Sequence, residues 1–296
     1  MGDPDKTDEA GCQWIETDKW PPENTELMSF YLNSTGRLNL NLPEQNEELA
    51  FTYDPNNPVP THGGNNLTIN AGPYDQRYIG DRDDILEFES EMLDQPIRVE
   101  GIVKGHLYVS SNCPDTDFTL KLVDVYPDGR EMLVTDGIAR TRFRLGETES
   151  EMSFLTPGEI VPLTVQLPPT ATVFNSGHRI KVCISSSNYP RYEINPNTAN
   201  ELYDLSEKQI AINTVHCSMN YPSSVVFPTI EMPVLVETRI MDDISFKLFG
   251  NYPNPFNSNT RIKYQLARSG NVKLSILNIQ GQIVKTLVDE VKDMGI

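Results

Sequence analysis

Apolar residues recur at every second position in several short stretches of this chain. They fall at Val161, Leu163, Val165 and Leu167, and again at Ile180, Val182 and Ile184, where Arg179 and Lys181 face the other way. Period two marks a strand with one face in a core and the other in solvent. Phe118–Val125 leads into Tyr126-Pro-Asp-Gly-Arg130 and then Met132, Leu133 and Val134. Pro-Asp-Gly between two such runs predicts a hairpin, because proline presets φ and glycine accepts a positive one. Further turn signals at Asp54-Pro55, Asn57-Pro58, Gly63-Gly64, Pro157-Gly158, Ser176-Gly177 and Asn195-Pro196 cut the chain into short pieces. No long stretch keeps a 3.6-residue period, which argues against a helical or βαβ domain. The pattern predicts an all-β protein, a jelly-roll β-sandwich with an immunoglobulin-like piece behind it.

Composition narrows the function. Of 296 residues, 38% are hydrophobic, enough for a core. With 24 basic against 42 acidic residues, the net charge of −18 argues against a nucleic-acid or anionic-membrane binder. No apolar run approaches the roughly 18 residues needed to span a bilayer. The acidic start lacks the apolar stretch of a signal peptide. The charge is also uneven: from Ile240 onward seven Lys/Arg face five Asp/Glu, a net of +2, leaving −20 on the 239 residues before. That shift predicts a boundary near Glu237–Phe246. The first 26 residues carry −6, no regular period, and both tryptophans, Trp14 and Trp20. They read as the tail of a preceding domain, docked onto the sandwich by those rings.

Candidate chemistry is sparse. A serine hydrolase on an α/β scaffold needs Gly-x-Ser-x-Gly, and the chain has none. Ser185-Ser186-Ser187 ends a strand without the glycines, so its hydroxyls are expected to bond backbone there. His62, His106, His178 and His216 show no metal-site spacing. His178, at a strand entry, is expected to bond a turn. His216 and Cys217 are adjacent on a strand and point to opposite faces, so they cannot pair with each other. Cys12, Cys113, Cys183 and Cys217 form no Cys-x-x-Cys; two disulfides or buried free thiols both fit the sequence. Asp115-Thr-Asp117 offers few of the six or more oxygens calcium wants, and reads as turn capping. Neither a metal nor a cofactor is expected. The polar loop His62-Gly-Gly-Asn-Asn66 is either a plain connection or a wall for a neighbouring pocket.

Long motifs carry a resemblance. Gly72-Pro-Tyr-Asp-Gln-Arg77, Asp81-Arg-Asp-Asp-Ile-Leu86, the run Val109–Arg130, Thr135-Asp-Gly-Ile138, Gly177-His-Arg-Ile180, Ser185-Ser-Ser-Asn188, Asn195-Pro-Asn-Thr198 and Tyr221-Pro-Ser-Ser-Val-Val-Phe-Pro228 occur in order. Over about residues 21–236 they resemble the C-terminal domain of the X-Pro dipeptidyl-peptidase and cocaine-esterase (CocE/NonD) hydrolases. The resemblance implies a galactose-binding-like jelly roll packed against an α/β-hydrolase domain. That domain carries the serine, histidine and acidic residue which cleave esters or amides by acylating the serine. No catalytic residue of this chain is implied. The jelly roll's implied role is to stabilise the hydrolase domain and wall one side of its pocket, with His62, Asn65 and Asn66 as the candidate pocket-facing residues.

The last segment differs. Phe249-Gly-Asn-Tyr-Pro-Asn-Pro-Phe-Asn257, Thr260-Arg-Ile-Lys-Tyr-Gln-Leu266, Val272–Gly281 and Ile283-Val-Lys-Thr-Leu287 resemble the C-terminal sorting domain of the type IX secretion system. The resemblance implies an exported or cell-surface parent that meets this secretion machinery through a partial immunoglobulin-like sandwich. The expected organisation is residues 1–26 from the preceding α/β-hydrolase domain and linker, 27–238 the jelly roll, 239–248 a linker and 249–296 an incomplete sorting domain. The expected function is the non-catalytic C-terminal portion of an exported serine hydrolase, partnered in cis by its catalytic domain. Two alternatives stand beside it. One is a free-standing carbohydrate- or ligand-binding jelly roll using Tyr189 and Tyr192; the other is a structural or adhesive surface protein.

Overall fold

The computed structural model describes residues 17–44, 46–231, 247–252, 259–266, 268–278 and 281–293. The chain divides into two compact units, Met1–Met232 and Pro233–Ile296. The expected linker at 239–248 lies mostly outside the described residues, as does Trp14. Trp20 is half exposed.

The first unit is built from thirteen strands: β1 (Glu26–Asn33), β2 (Arg37–Asn39), β3 (Glu47–Tyr53), β4 (Leu86–Ser90), β5 (Ile97–Gly101), β6 (Lys104–Ser111), β7 (Asp117–Val125), β8 (Glu131–Arg140), β9 (Val161–Gln166), β10 (Thr170–Phe174), β11 (Arg179–Ser185), β12 (Ala211–Cys217) and β13 (Ser224–Ile230). Their ladder runs β3-β12-β6-β13-β1-β2-β4-β11-β7-β8, with β9 on β6, and β5 joining β13 to β10. All the pairings are antiparallel except β2 with β4. The ladder folds over on itself as a β-sandwich. Phe51 of β3 meets Phe118 of β7 edge to face at 6.2 Å, although the two strands are far apart in the ladder. One core joins Leu107 and Val109 of β6, Val215 of β12 and Phe227 of β13 to Leu120 and Leu122 of β7 and Ile180 and Ile184 of β11.

The alternation at Val161, Leu163 and Val165 appears as predicted, with buried and exposed residues taking turns along β9. The Pro-Asp-Gly hairpin also forms. Tyr126 N–H donates to the Arg130 carbonyl at 2.8 Å, Gly129 N–H donates to the Tyr126 carbonyl at 2.8 Å, and Gly129 sits at φ +84°. The expectation for β11 needs correction: Lys181 faces away from the core, as predicted, yet it is buried. Loops 54–85 and 186–210 and the neighbouring strands cover this second face, and Lys181 is held by Glu87 and Glu131 at 2.8 Å each. β7, flanked by β11 and β8, is buried at every position on both faces.

In the second unit β14 (Lys247–Tyr252) pairs with β15 (Arg261–Gln265), and β16 (Gly270–Leu277) pairs with β17 (Ile283–Lys292), both antiparallel. Of the turn expected at Gln280-Gly281, Gln280 lies outside the described residues; Gly281, between β16 and β17, has φ +79° and its N–H donates to the Asn278 carbonyl at 2.9 Å. No helix among the described residues is long and apolar enough to cross a membrane.

Candidate functional site

Away from the main core, β7, β8 and β11 carry a small buried apolar cluster, Val123, Val125, Leu133 and Cys183 with Ile85 of the covering loop against it, and beside it a layer of buried polar side chains. A buried charge is tolerated only when it is paired and hydrogen-bonded, and here the pairing is dense. Asp115 accepts from Thr141 Oγ1 at 2.9 Å, Arg142 N–H at 2.9 Å, Arg142 Nε at 2.8 Å and Asn195 Nδ2 at 3.0 Å. Arg142 spends its other nitrogens on the Asn200 and Thr198 carbonyls. Asp117 takes Arg140 Nε at 2.8 Å and Asn195 Nδ2 at 2.8 Å. Burial pushes the Asp117 carboxyl upward, with Arg140 opposing it. Both aspartates are thus occupied by arginine and asparagine, and the described residues hold no cluster of metal-binding side chains. Two of the three serines bond backbone at the strand end as expected: Ser187 Oγ takes the Val59 N–H at 2.8 Å, and Ser185 Oγ donates to the Ser187 carbonyl at 3.1 Å, while Ser186 Oγ instead accepts from Asn213 Nδ2 at 2.7 Å.

A second ionic knot lies alongside and carries the candidate loop. Asp136 of β8 faces Arg191 at 3.1 Å and accepts from Asn188 Nδ2 at 2.5 Å. Burial raises the Asp136 carboxyl, while Arg191 and Lys121 oppose the rise. Arg191 donates outward to the Asn65 carbonyl and to Asn66 Oδ1, the latter at 3.0 Å. Lys121 of β7 donates to Gln76 Oε1 at 3.2 Å, and Gln76 Nε2 donates to the carbonyls of His62 at 2.8 Å and Tyr74 at 2.9 Å. The loop closes on itself where Gly64 and Gly72 exchange hydrogen bonds of 2.7 and 3.0 Å. Gly63 has φ +77°, and a Cβ there would stand 2.5 Å from the Gly72 carbonyl oxygen.

His62, Asn65 and Asn66 are therefore gathered in one place, each fixed to the buried knot by a different bond. His62 is partly exposed and packs against Tyr74 and Tyr78, ring centroids 5.1 and 5.9 Å away. Tyr78 is 80% exposed, and Tyr189, bridged to Pro60, is 43% exposed. Together they form an aromatic rim. Tyr192 is different, since its hydroxyl donates to the Asp136 carbonyl at 3.3 Å and burial raises its pKa. Sequence reasoning missed Arg191, Asp136 and Gln76 as the supports of this rim. The signal lay within motifs already noted, Thr135-Asp-Gly and Gly72-Pro-Tyr-Asp-Gln.

Two histidines have partners that spacing could not reveal. His178 bonds the turn before it, its backbone N–H donating to the Asn175 carbonyl at 3.1 Å, and its ring Nδ1 also meets Asp124 Oδ1 of β7 at 2.8 Å. On β12, between β3 and β6, His216 Nε2 lies 3.0 Å from Ser110 Oγ, and its Nδ1 lies 3.2 Å from Glu48 Oε2. That is the hydrogen-bond order of a serine–histidine–carboxylate relay. Acyl transfer also needs preorganised donors for the developing oxyanion. Ser110 stands in register with Thr214 in a regular ladder, where backbone N–H groups serve neighbouring strands. The trio is best read as a strut tying β3, β12 and β6. The three described cysteines, Cys113, Cys183 and Cys217, are buried free thiols, and burial pushes Cys183 and Cys217 up to about 12.

A β-sandwich with a loop-covered polar layer and a separate strand-paired C-terminal unit is what the comparisons match. Residues 3–226 match the X-Pro dipeptidyl-peptidase C-terminal non-catalytic domain, and the chain belongs to that family. Residues 251–294 match the secretion system C-terminal sorting domain. The chain is 41% identical over 232 residues to the cocaine esterase of Rhodococcus sp. strain MB1 Bresler, covering 74% of this chain and 40% of that protein. Among solved structures it superposes on an aminopeptidase of a marine-sediment Thaumarchaeota archaeon with TM-score 0.67 and 27% identity, over 75% of this chain and 40% of that one. An α-amino acid ester hydrolase superposes with TM-score 0.60 and 29% identity, over 69% of this chain and 36% of that one. The chain thus spans about two fifths of the relatives it matches. Residues 3–226 correspond to the domain that the family describes as non-catalytic.

Proposed function

We propose that this chain is the C-terminal part of an exported serine hydrolase acting on acyl esters or peptides, and that it docks in cis on an α/β-hydrolase catalytic domain. In this reading the rim around His62, Asn65 and Asn66 walls one side of the catalytic pocket, and the segment from residue 251 directs the protein to the secretion machinery and the cell surface. The observation that carries it is the fastening of the exposed His62–Tyr74–Tyr78 rim to the buried Asp136–Arg191 knot. Exposed aromatic rings with polar tips are among the side chains that dominate protein interfaces. A free loop would not need a buried ion pair beneath it.

A chimera tests the reading. Residues 17–231 replace the matching segment of the Rhodococcus esterase, and ester hydrolysis is measured with and without Tyr78→Ala and His62→Ala. A soluble, active chimera whose KM rises severalfold in the rim variants supports it. An inactive chimera defeats the cis-docking role; an active one indifferent to both substitutions defeats the wall.

A further inference from the structure

A second surface, remote in sequence from the rim, is shaped for a different contact. A cleft of about 820 Å³ opens between the connection from β2 to β3 and the turn from β4 to β5. Half of its lining is apolar: Phe30 and Leu38 are buried inside, Ile97 is partly buried, and Leu40, Leu42 and Met92 are more than half exposed at the mouth, while Asn33, Thr35, Asn39 and Asn41 lie among them. Four acidic side chains, Glu44, Glu47, Glu91 and Asp94, line it, and among the described residues no lysine or arginine does. Arg37, just outside, faces Glu91 at 3.4 Å with both side chains largely in water.

The kind of occupant follows from what the cleft lacks. Small-molecule pockets fix their ligand through a few buried polar groups aimed inward. The one buried polar side chain here, Ser90, is already spent: its Oγ accepts the Ile180 N–H at 2.9 Å and donates to the Glu91 carbonyl at 2.8 Å. What remains for recognition is apolar contact, the exposed amides of Asn39 and Asn41, and charge at the rim. Three large apolar side chains kept half in water beside one another mark a protein-contact surface. The rim's charge is of one sign, which rejects acidic partners and draws basic ones.

We infer that this cleft is a docking site for a peptide segment that sets leucine- or phenylalanine-like side chains between lysines or arginines. The apolar side chains enter between Leu40, Leu42 and Met92, and the cations meet Glu44, Glu47, Glu91 and Asp94. This assignment is independent of the pocket-wall role of the rim.

The test uses the full 296-residue chain and a fluorescein-labelled peptide of alternating leucine, phenylalanine and lysine, with its glutamate-for-lysine counterpart as control. Anisotropy should report saturable binding of the basic peptide and none of the acidic one. Leu40→Ser with Met92→Ser should weaken binding at least about tenfold, the loss expected from removing buried apolar contact. Glu91→Gln with Asp94→Asn should weaken it and flatten its salt dependence. Neutralising Glu147 and Glu149, exposed acids outside this cleft, should leave it unchanged. The substituted positions are exposed, so unchanged thermal unfolding verifies the fold of each variant. Equal binding by the wall variant, or equal weakening by the Glu147/Glu149 variant, overturns the inference, because the attraction is then that of an acidic protein for any cation. Absence of binding by the basic peptide overturns it outright.

Discussion

At the scale of single residues, the polar layer stands or falls by its pairs. Arg142→Met leaves Asp115 buried beside three neutral donors, Thr141 Oγ1, the backbone N–H of position 142 and Asn195 Nδ2, and frees the Thr198 and Asn200 carbonyls. Removing one partner of a buried pair costs about 3–5 kcal/mol, so denaturant unfolding should show a loss of that order; a loss under about 1 kcal/mol would mean the pair is hydrated. The histidines set a pH dependence. Burial lowers His106, with Lys104 adding to the effect, and burial lowers His216 against the pull of Glu48. A group whose folded pKa is depressed takes up protons more readily when unfolded. Stability should therefore be full above the ordinary imidazole value of 6.5 and decline as pH falls below it. The His106→Gln/His216→Gln variant should lose that slope; an unchanged slope would place the titration elsewhere. Ser110, for all its relay, should not react with a fluorophosphonate probe. Stoichiometric labelling lost in Ser110→Ala would refute the strut reading.

At the scale of elements, legibility depended on whether one face or two are covered. β9 has one dry face, and its period-two alternation could be read directly. β7 and β11 have two, and Lys121 and Lys181 look like solvent-facing residues because nothing in their own strands announces the loops that cover them. The Tyr126–Arg130 hairpin was legible since its geometry is local. The support of the candidate loop was not: Arg191 and Asp136 are 55 positions apart, and only the fold brings them within an ion pair. The loop's own geometry offers a test. Gly63→Ala forces a side chain into a positive φ and against the Gly72 carbonyl, a strain of about 1–3 kcal/mol. If the loop opens independently of the sandwich, protease cleavage between residues 61 and 78 should accelerate while the global unfolding midpoint holds. A midpoint falling in parallel would make loop and sandwich one cooperative unit.

At the scale of the molecule, the order of motifs identified the family, and composition set the limits: an acidic, strand-rich chain without a nucleophile elbow. What the sequence left open was how its scattered polar residues are shared out. The structure gathers them into a paired interior layer, an aromatic rim above it and an acidic cleft, three environments that composition averages into one net charge. Within that layer, β7 lies between two neighbouring strands with all nine side chains sealed. No local fraying can bare its central amides, because β11 and β8 must leave on both sides while loops lift from one face and the core from the other. Placed in deuterated buffer, those amides should exchange only when the whole sandwich opens. Their half-life is then a built-in clock for global unfolding, against which the faster exchange of every other strand can be timed.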